Sequence, residues 1–269
     1  MNGQTWAMSS THRSSTHLLR YEMAEHIVTL TIDRPDRRNA ISGEVARSLE
    51  AALDRFEGDD DAWVAILTGT GPVFCAGADL TEVASGEGAG ISTARGGFAG
   101  FVARPRTKPV IAALNGPAVA GGFELALACD MVVMADGAHL SLPEVERSLV
   151  ATGGGLFRLQ RTIGPARAAE VILAGGRIEA AEALSSGLVN IVVDANEVAG
   201  AARALAARVT ANAPLAVQAS LAVMGSVHPD ESELFASSEG ALGSLVQTAD
   251  FAEGPAAFLA KRAPTWLAR

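Results

Sequence analysis

The chain has 269 residues, 49% hydrophobic and 19% charged, enough for one large globular core or two small ones and unlike a disordered or fibrous chain. Lys and Arg number 21 against 30 Asp and Glu, a net charge of -9, which argues against a broad nucleic-acid or anionic-membrane surface because both need clustered positive charge. An anionic ligand must then be met by local cations.

Met1 to Thr16 is rich in Ser and Thr and has no continuous apolar run, so it reads as neither a signal peptide nor a membrane anchor. A disordered lead-in over residues 1–20 is expected. His26 to Ile32 alternates and is β-branched, which predicts a strand ended by Asp33-Arg34-Pro35. From Gly43, Val45, Leu49, Leu53 and Phe56 recur at helical spacing, and the acidic run Glu57 to Asp61 closes that helix. Trp63 to Thr68 is a short apolar run before Gly69-Thr70-Gly71-Pro72, the pattern of a strand buried on both faces.

Gly86 to Gly100 is the one glycine-rich, low-complexity stretch. It reads either as a lid over a ligand cleft or as a surface insertion. Val110 to Leu114 and Met131 to Met134 are further buried strands, with an apolar helix from Gly122 to Cys129 between them. Beyond Gly153 the pattern turns mainly helical: 166–173, 180–185, 198–210, 214–224, 231–247 and 253–262, with one short strand at 189–193. No internal repeat or composition break divides the chain, so one α/β core with a helical lobe is expected. Cys75 and Cys129 are too few for a disulfide framework and lack metal-ligand spacing, so they read as buried thiols of a protein from the reducing cytoplasm.

Several familiar sites are missing. Gly69-Thr-Gly71-Pro lacks the third glycine of a dinucleotide fingerprint and puts proline where a helix would begin. There is no phosphate loop, no serine-nucleophile elbow and no His-Glu-x-x-His pair.

Two strand-to-helix turns instead bring small residues together: Phe74-Cys-Ala-Gly-Ala-Asp-Leu80 and Asn115-Gly-Pro-Ala-Val-Ala-Gly-Gly-Phe-Glu124. Small side chains let a ligand oxygen approach the main chain, and the start of a helix adds its positive dipole end, so a developing oxyanion would be stabilised there. Glu124 lies in an otherwise apolar helix, and Glu144 follows Pro143, 20 positions later. On one continuous helix they would be about 30 Å apart, so they cooperate only if the strand at 131–134 returns the chain. Converging, they would raise one apparent pKa and leave an acid and a carboxylate side by side near neutral pH. The alternative is that Glu144 merely favours a helix start and that Glu146 or Glu124 is a solvated surface charge.

These residues resemble the enoyl-CoA hydratase/isomerase (crotonase) superfamily from about Tyr21 to Trp266. The landmarks are Arg34-Pro-Asp-Arg-Arg-Asn-Ala-Ile41, the two turns above, Leu142-Pro-Glu144 and Glu253-Gly-Pro-Ala-Ala-Phe-Leu-Ala-Lys-Arg262. The resemblance implies an α/β fold in which a spiral of β-β-α turns over residues 21–195 binds acyl-CoA and a helical lobe over 196–269 serves oligomerisation. It implies an oxyanion hole from the N–H groups of Ala78 and Gly121. It implies that Glu144 protonates the substrate Cα and that Glu124 activates the water attacking Cβ, which makes the chain a hydratase of 2-enoyl thioesters in fatty acid metabolism. Contacts to the substrate and its coenzyme A are implied at Arg37, Arg38, Ala40, Ala76, Asp79, Leu80, Phe258 and Lys261, with Arg262 an alternative to Lys261. No metal or redox cofactor is implied; coenzyme A enters with the substrate, and the assembly is a homotrimer or homohexamer. The carnitinyl-CoA dehydratase branch and the isomerases are alternatives, as is a non-catalytic RNA-binding relative, whose basic helix this chain lacks. Two departures bear on the acyl pocket: Ala120 stands where relatives carry the first of three glycines, and Ala151 where many have proline.

Overall fold

The computed structural model describes residues 18–86, 88–226 and 231–267. The lead-in expectation falls almost wholly on residues 1–17, outside the described residues; the strand β1 (Leu19–Ala24) already includes Arg20. β1 hairpins onto β2 (Ile27–Ile32), which runs parallel to β3 (Val64–Gly69). Behind β2 lies α1 (Gly43–Gly58), N-capped by Ser42, whose Oγ accepts the Val45 N–H at 3.3 Å. After β3 come the short α2 (Leu80–Ala84) and the strand pair β4 (Ser92–Thr93) and β5 (Gly97–Phe98).

Then follow β6 (Val110–Leu114), β7 (Ala118–Val119), α3 (Gly121–Leu127), β8 (Met131–Ala135) and β9 (His139–Ser141). The remainder is α4 (Gly155–Ile163), α5 (Pro165–Leu173), β10 (Arg177–Glu179), α6 (Ala180–Ser185), β11 (Ile191–Val193) and four helices: α7 (Val198–Thr210), α8 (Pro214–Ser226), α9 (Ser232–Leu245) and α10 (Ala249–Leu259).

The main sheet has the order β1-β2-β3-β6-β8-β11, parallel except for β1. Its central strands are buried on both faces, which is why 110–114 and 64–68 read as unbroken apolar runs. A second layer is the sheet β10-β9-β7, extended by single bridges between Cys75 and Ala118 and between Ile41 and Ala78. Each turn of the chain therefore runs from a long main-sheet strand to a brief pairing in the second layer and on to a helix. The repeat is one of topology, and it leaves no trace as a sequence repeat because each turn differs in length and residues.

Several elements escaped the sequence pattern, among them β1, β4 and β5. β7, β9 and β10 are two or three residues long, below the length at which alternation is visible. α4 begins at the last residue of Gly153-Gly154-Gly155, a run that argues locally against a helix. α7, grouped by sequence with the helical lobe, packs against β2, β3, β6, β8 and β11 through Val198, Ala202, Leu205 and Ala206. Among the described residues no helix is long and apolar enough to cross a membrane.

Candidate active site

The two small-residue turns are locked together by contacts that only glycine permits. A Cβ on Gly122 would lie 2.1 Å from the Cys75 carbonyl oxygen, and one on Gly77, at φ +84, would lie 2.9 Å from the Gly121 nitrogen. In the parallel bridge between Ile41 and Ala78, Ile41 N–H donates to Gly77 O at 2.8 Å and Asp79 N–H donates to Ile41 O at 2.9 Å. The N–H of Ala78 therefore points to the other side. That of Gly121 opens α3, where a helix leaves its first donors unpaired. Neither N–H has a partner among the described residues.

Both residues line a cleft of ≈ 1110 Å³, and so do Glu124 and Glu144. Glu124, 3% exposed, projects from the first turn of α3, and Glu144, 8% exposed, opens a 3-10 turn after Pro143. The helix-start reading of Glu144 and the buried-acid reading are thus both realised. The chain returns as the pattern requires: β8 leads it back through the sheet and β9 delivers Leu142-Pro143-Glu144 beside β7, whose end adjoins α3.

Burial pushes Glu124 up to about 7 against the N–H groups of Gly155 and Gly153 and the charge of Arg158, which favour its charged form; Glu239 opposes ionisation. Burial, followed by repulsion from Glu124, pushes Glu144 up to about 8. Its Oε2 is enclosed without a hydrogen-bond partner. Near neutral pH the pair together therefore holds about one proton.

The sequence-predicted substrate contacts divide evenly. Arg38, Ala76, Leu80 and Phe258 line the cleft, whereas Arg37, Ala40, Asp79 and Lys261 do not. Asp79 has a different employment: it caps α2 by accepting the Thr81 N–H at 3.1 Å and pairs with Arg34 at 3.0 Å. Burial opposes its ionisation, and those two donors outweigh burial and hold its carboxyl below the usual range. Arg262 pairs with Glu253 at 2.6 Å. Cys75 is enclosed and Cys129 partly so, rather than both being fully buried; burial raises each thiol to about 12.

The described residues of the segment Gly86 to Gly100 form cleft wall rather than a loose insertion. Thr93 Oγ1 donates to Glu50 on α1 at 2.6 Å, and the Phe98 ring fills the space a Gly121 side chain would occupy. Sequence reasoning missed Phe98, the Gly153–Gly155 donors and Glu239 of α9. Only the glycine run left a visible signal, and that run is also a common loop signature.

Residues 22–269 match the family described as Enoyl-CoA hydratase/isomerase. The chain belongs to that family. It is 39% identical to a carnitinyl-CoA dehydratase of Proteus mirabilis over 254 residues, spanning 90% of this chain and 95% of the relative. It is 37% identical to a mevalonyl-coenzyme A hydratase of Aspergillus fumigatus, spanning 90% and 91%. Among solved structures it is similar to a carnitinyl-CoA hydratase from Mycobacterium avium, with TM-score 0.88, 39% identity and coverage of 95% and 100%. An enoyl-CoA hydratase from Mycobacterium tuberculosis H37Rv is 42% identical with TM-score 0.75, covering 94% and 99%.

Proposed function

We propose that the protein is an enoyl-CoA hydratase that adds water reversibly to a trans-2-enoyl-CoA to give the 3-hydroxyacyl-CoA. The observation that carries this reading is the burial of Glu124 and Glu144 in one cleft beside the unpaired N–H groups of Ala78 and Gly121. The thioester oxygen accepts from both N–H groups, which are in place before charge develops and need no reorganisation as the enolate forms. Ionised Glu124 takes a proton from water as the water oxygen bonds to Cβ, and protonated Glu144 gives its proton to Cα. The carboxyls end with their protonation states exchanged, and proton transfer with water resets them.

Arg38 and the aromatic face of Phe258 are the cleft-lining groups assigned to the coenzyme A part of the substrate. The chemistry as written assigns no role to a metal or redox cofactor. A homotrimer or homohexamer fits α8, which carries no charged residue and leaves Leu215, Val223 and Met224 at least 66% exposed. The reading places the protein in the cytoplasm and in fatty acid metabolism. Hydration removes the enoyl conjugation, so loss of its ultraviolet absorbance across a panel of chain lengths is the assay. Glu124→Gln and Glu144→Gln are each expected to lower kcat by at least about a hundredfold. No turnover by the native protein on any chain length overturns the reading, and unimpaired variants overturn the site.

A further inference from the structure

Arg34 stands outside the cleft, yet its side chain touches both segments beside Ala78. Its Nη1 donates to the Ala40 carbonyl, and its Nη2 pairs with Asp79 Oδ2 at 3.0 Å. The two charged side chains are only 15% and 10% exposed, so water screens them weakly. The backbone beneath is equally fixed. The Arg34 N–H donates to Asn39 Oδ1 at 3.0 Å, and the Arg34 carbonyl accepts the Asn39 N–H at 2.9 Å. Asn39 Nδ2 in turn reaches the carbonyls of Thr70 and Val73 at 2.9 and 2.7 Å.

The bond to Ala40 leads to the oxyanion hole. The Ala40 carbonyl and the Ile41 N–H belong to one trans peptide unit, and that N–H donates to the Gly77 carbonyl at 2.8 Å. The Gly77 carbonyl and the Ala78 N–H belong to a second such unit. In a planar trans unit the C=O and N–H point in opposite directions, so fixing the oxygen end aims the hydrogen end. A relay therefore runs from the Arg34 cation through two peptide units to the Ala78 N–H at the cleft wall. A cation at an amide oxygen makes the N–H of the same amide a stronger donor, and successive bonds polarise one another. The Asp79 N–H, donating to the Ile41 carbonyl at 2.9 Å, and the Asp79 carboxylate on Arg34 tie the two segments at further points.

We propose that Arg34 is a positioning residue for hydration: through the peptide units Ala40-Ile41 and Gly77-Ala78 it aims and strengthens the N–H that receives the thioester oxygen. This rests on the acyl-CoA reading above. Ala40 and Asp79, both absent from the cleft lining, are then parts of the relay and its brace rather than substrate contacts.

The test uses thioesters that cannot be hydrated. Saturated acyl-CoA molecules from butanoyl to decanoyl, labelled with carbon-13 at the carbonyl, are bound to the protein, and infrared difference spectra locate the C=O stretch. Donation by the two N–H groups should lower the stretch below its value in water. Arg34→Gln removes the cation and is expected to reverse at least half of that lowering, while the calorimetric Kd changes by less than about threefold. Arg34→Lys, whose single ammonium must serve both Ala40 and Asp79, is expected to fall between the two, so the series decides even if the Gln variant does not fold. With an enoyl-CoA, Arg34→Gln should lower kcat and kcat/KM together by about tenfold or more, the pattern of an interaction that matters in the transition state. A lowered stretch that the variants reverse, in a protein that hydrates no enoyl-CoA, would support this assignment while overturning the hydratase reading. A stretch that is not lowered in the native complex, or one that is the same in the native protein and every folded variant whatever their Tm, overturns the assignment.

Discussion

The Gly155 N–H donates to Glu124 Oε1 at 2.9 Å, and nothing equivalent reaches Glu144 Oε2. This asymmetry favours Glu124 as the acid that ionises first, although the main-chain N–H of Glu144 and the charge of Arg147 also favour the charged form of Glu144. A main-chain donor favours the charged form, so Glu124 ionises first and Glu144 stays protonated. That is the division of labour the proposed hydration calls for, a base for water and an acid for Cα.

The pH dependence of activity follows from that division. With Glu124 raised to about 7 and Glu144 to about 8, the form holding one proton predominates only between them, so kcat/KM is expected to follow a narrow bell with limbs near those values. The limbs belong to the pair. A stopped-flow or absorbance profile from pH 5 to 10 checks this, and a plateau extending below pH 6 contradicts it.

Stability is expected to move the opposite way to that of most carboxylate-rich proteins. Both acids titrate above their ordinary 4.5 when folded, so between about pH 4.5 and 8 the folded chain binds more protons than the unfolded one. Their contribution is fully present below about 4.5 and is lost as pH rises through 7 and 8. Urea midpoints of the native protein and Glu144→Gln, measured at pH 5.5 and 8.5, should show a smaller alkaline loss in the variant.

Gly153 is expected to be intolerant of even a methyl group. A Cβ there would come 2.6 Å from Glu124 Oε2, and its φ is not in the left-handed region, so Gly153→Ala displaces the carboxyl without straining the backbone. A shift of about 1 Å costs on the order of a hundredfold in kcat. Thermal unfolding run beside the kinetics separates displacement from loss of fold.

Gly121 faces the Phe98 ring, which a Cβ would approach to 2.4 Å. Gly121→Ala is expected to push the first turn of α3 away and misplace its N–H, lowering kcat/KM by about 10² or more. Pairing it with Phe98→Leu, which shortens the obstructing side chain, should recover part of the loss. No recovery in the double variant would show that the ring is not the obstacle.

Ala120 occupies φ +55, ψ -130, held there by its N–H on the Ser141 carbonyl at 2.9 Å and its own carbonyl accepting Phe123 N–H at 2.8 Å. A residue with a Cβ is strained in that region by about 1–3 kcal/mol, which offsets the entropy cost of glycine. Ala120→Gly is therefore expected to raise Tm by roughly 2–6 °C. Because Ala120 lines the cleft, the same change should widen the range of acyl groups accepted, read as kcat/KM across branched enoyl thioesters.

The sequence by itself determined the elements whose signals are local. The strand at 110–114 and the helices at 180–185 and 198–210 appear at the predicted residues, because apolar periodicity and turn chemistry suffice to specify them. Motif order likewise singled out Glu124, Glu144 and the two small-residue turns. Tertiary structure alone decided that the two acids share one buried cleft, that Asp79 serves Arg34 rather than lining it, and that Glu239 overlooks Glu124 from a distant helix. The physical reason is that a carboxyl's proton affinity and its choice of partner depend on burial and on neighbours brought close only by long-range packing. No window of consecutive residues contains that information.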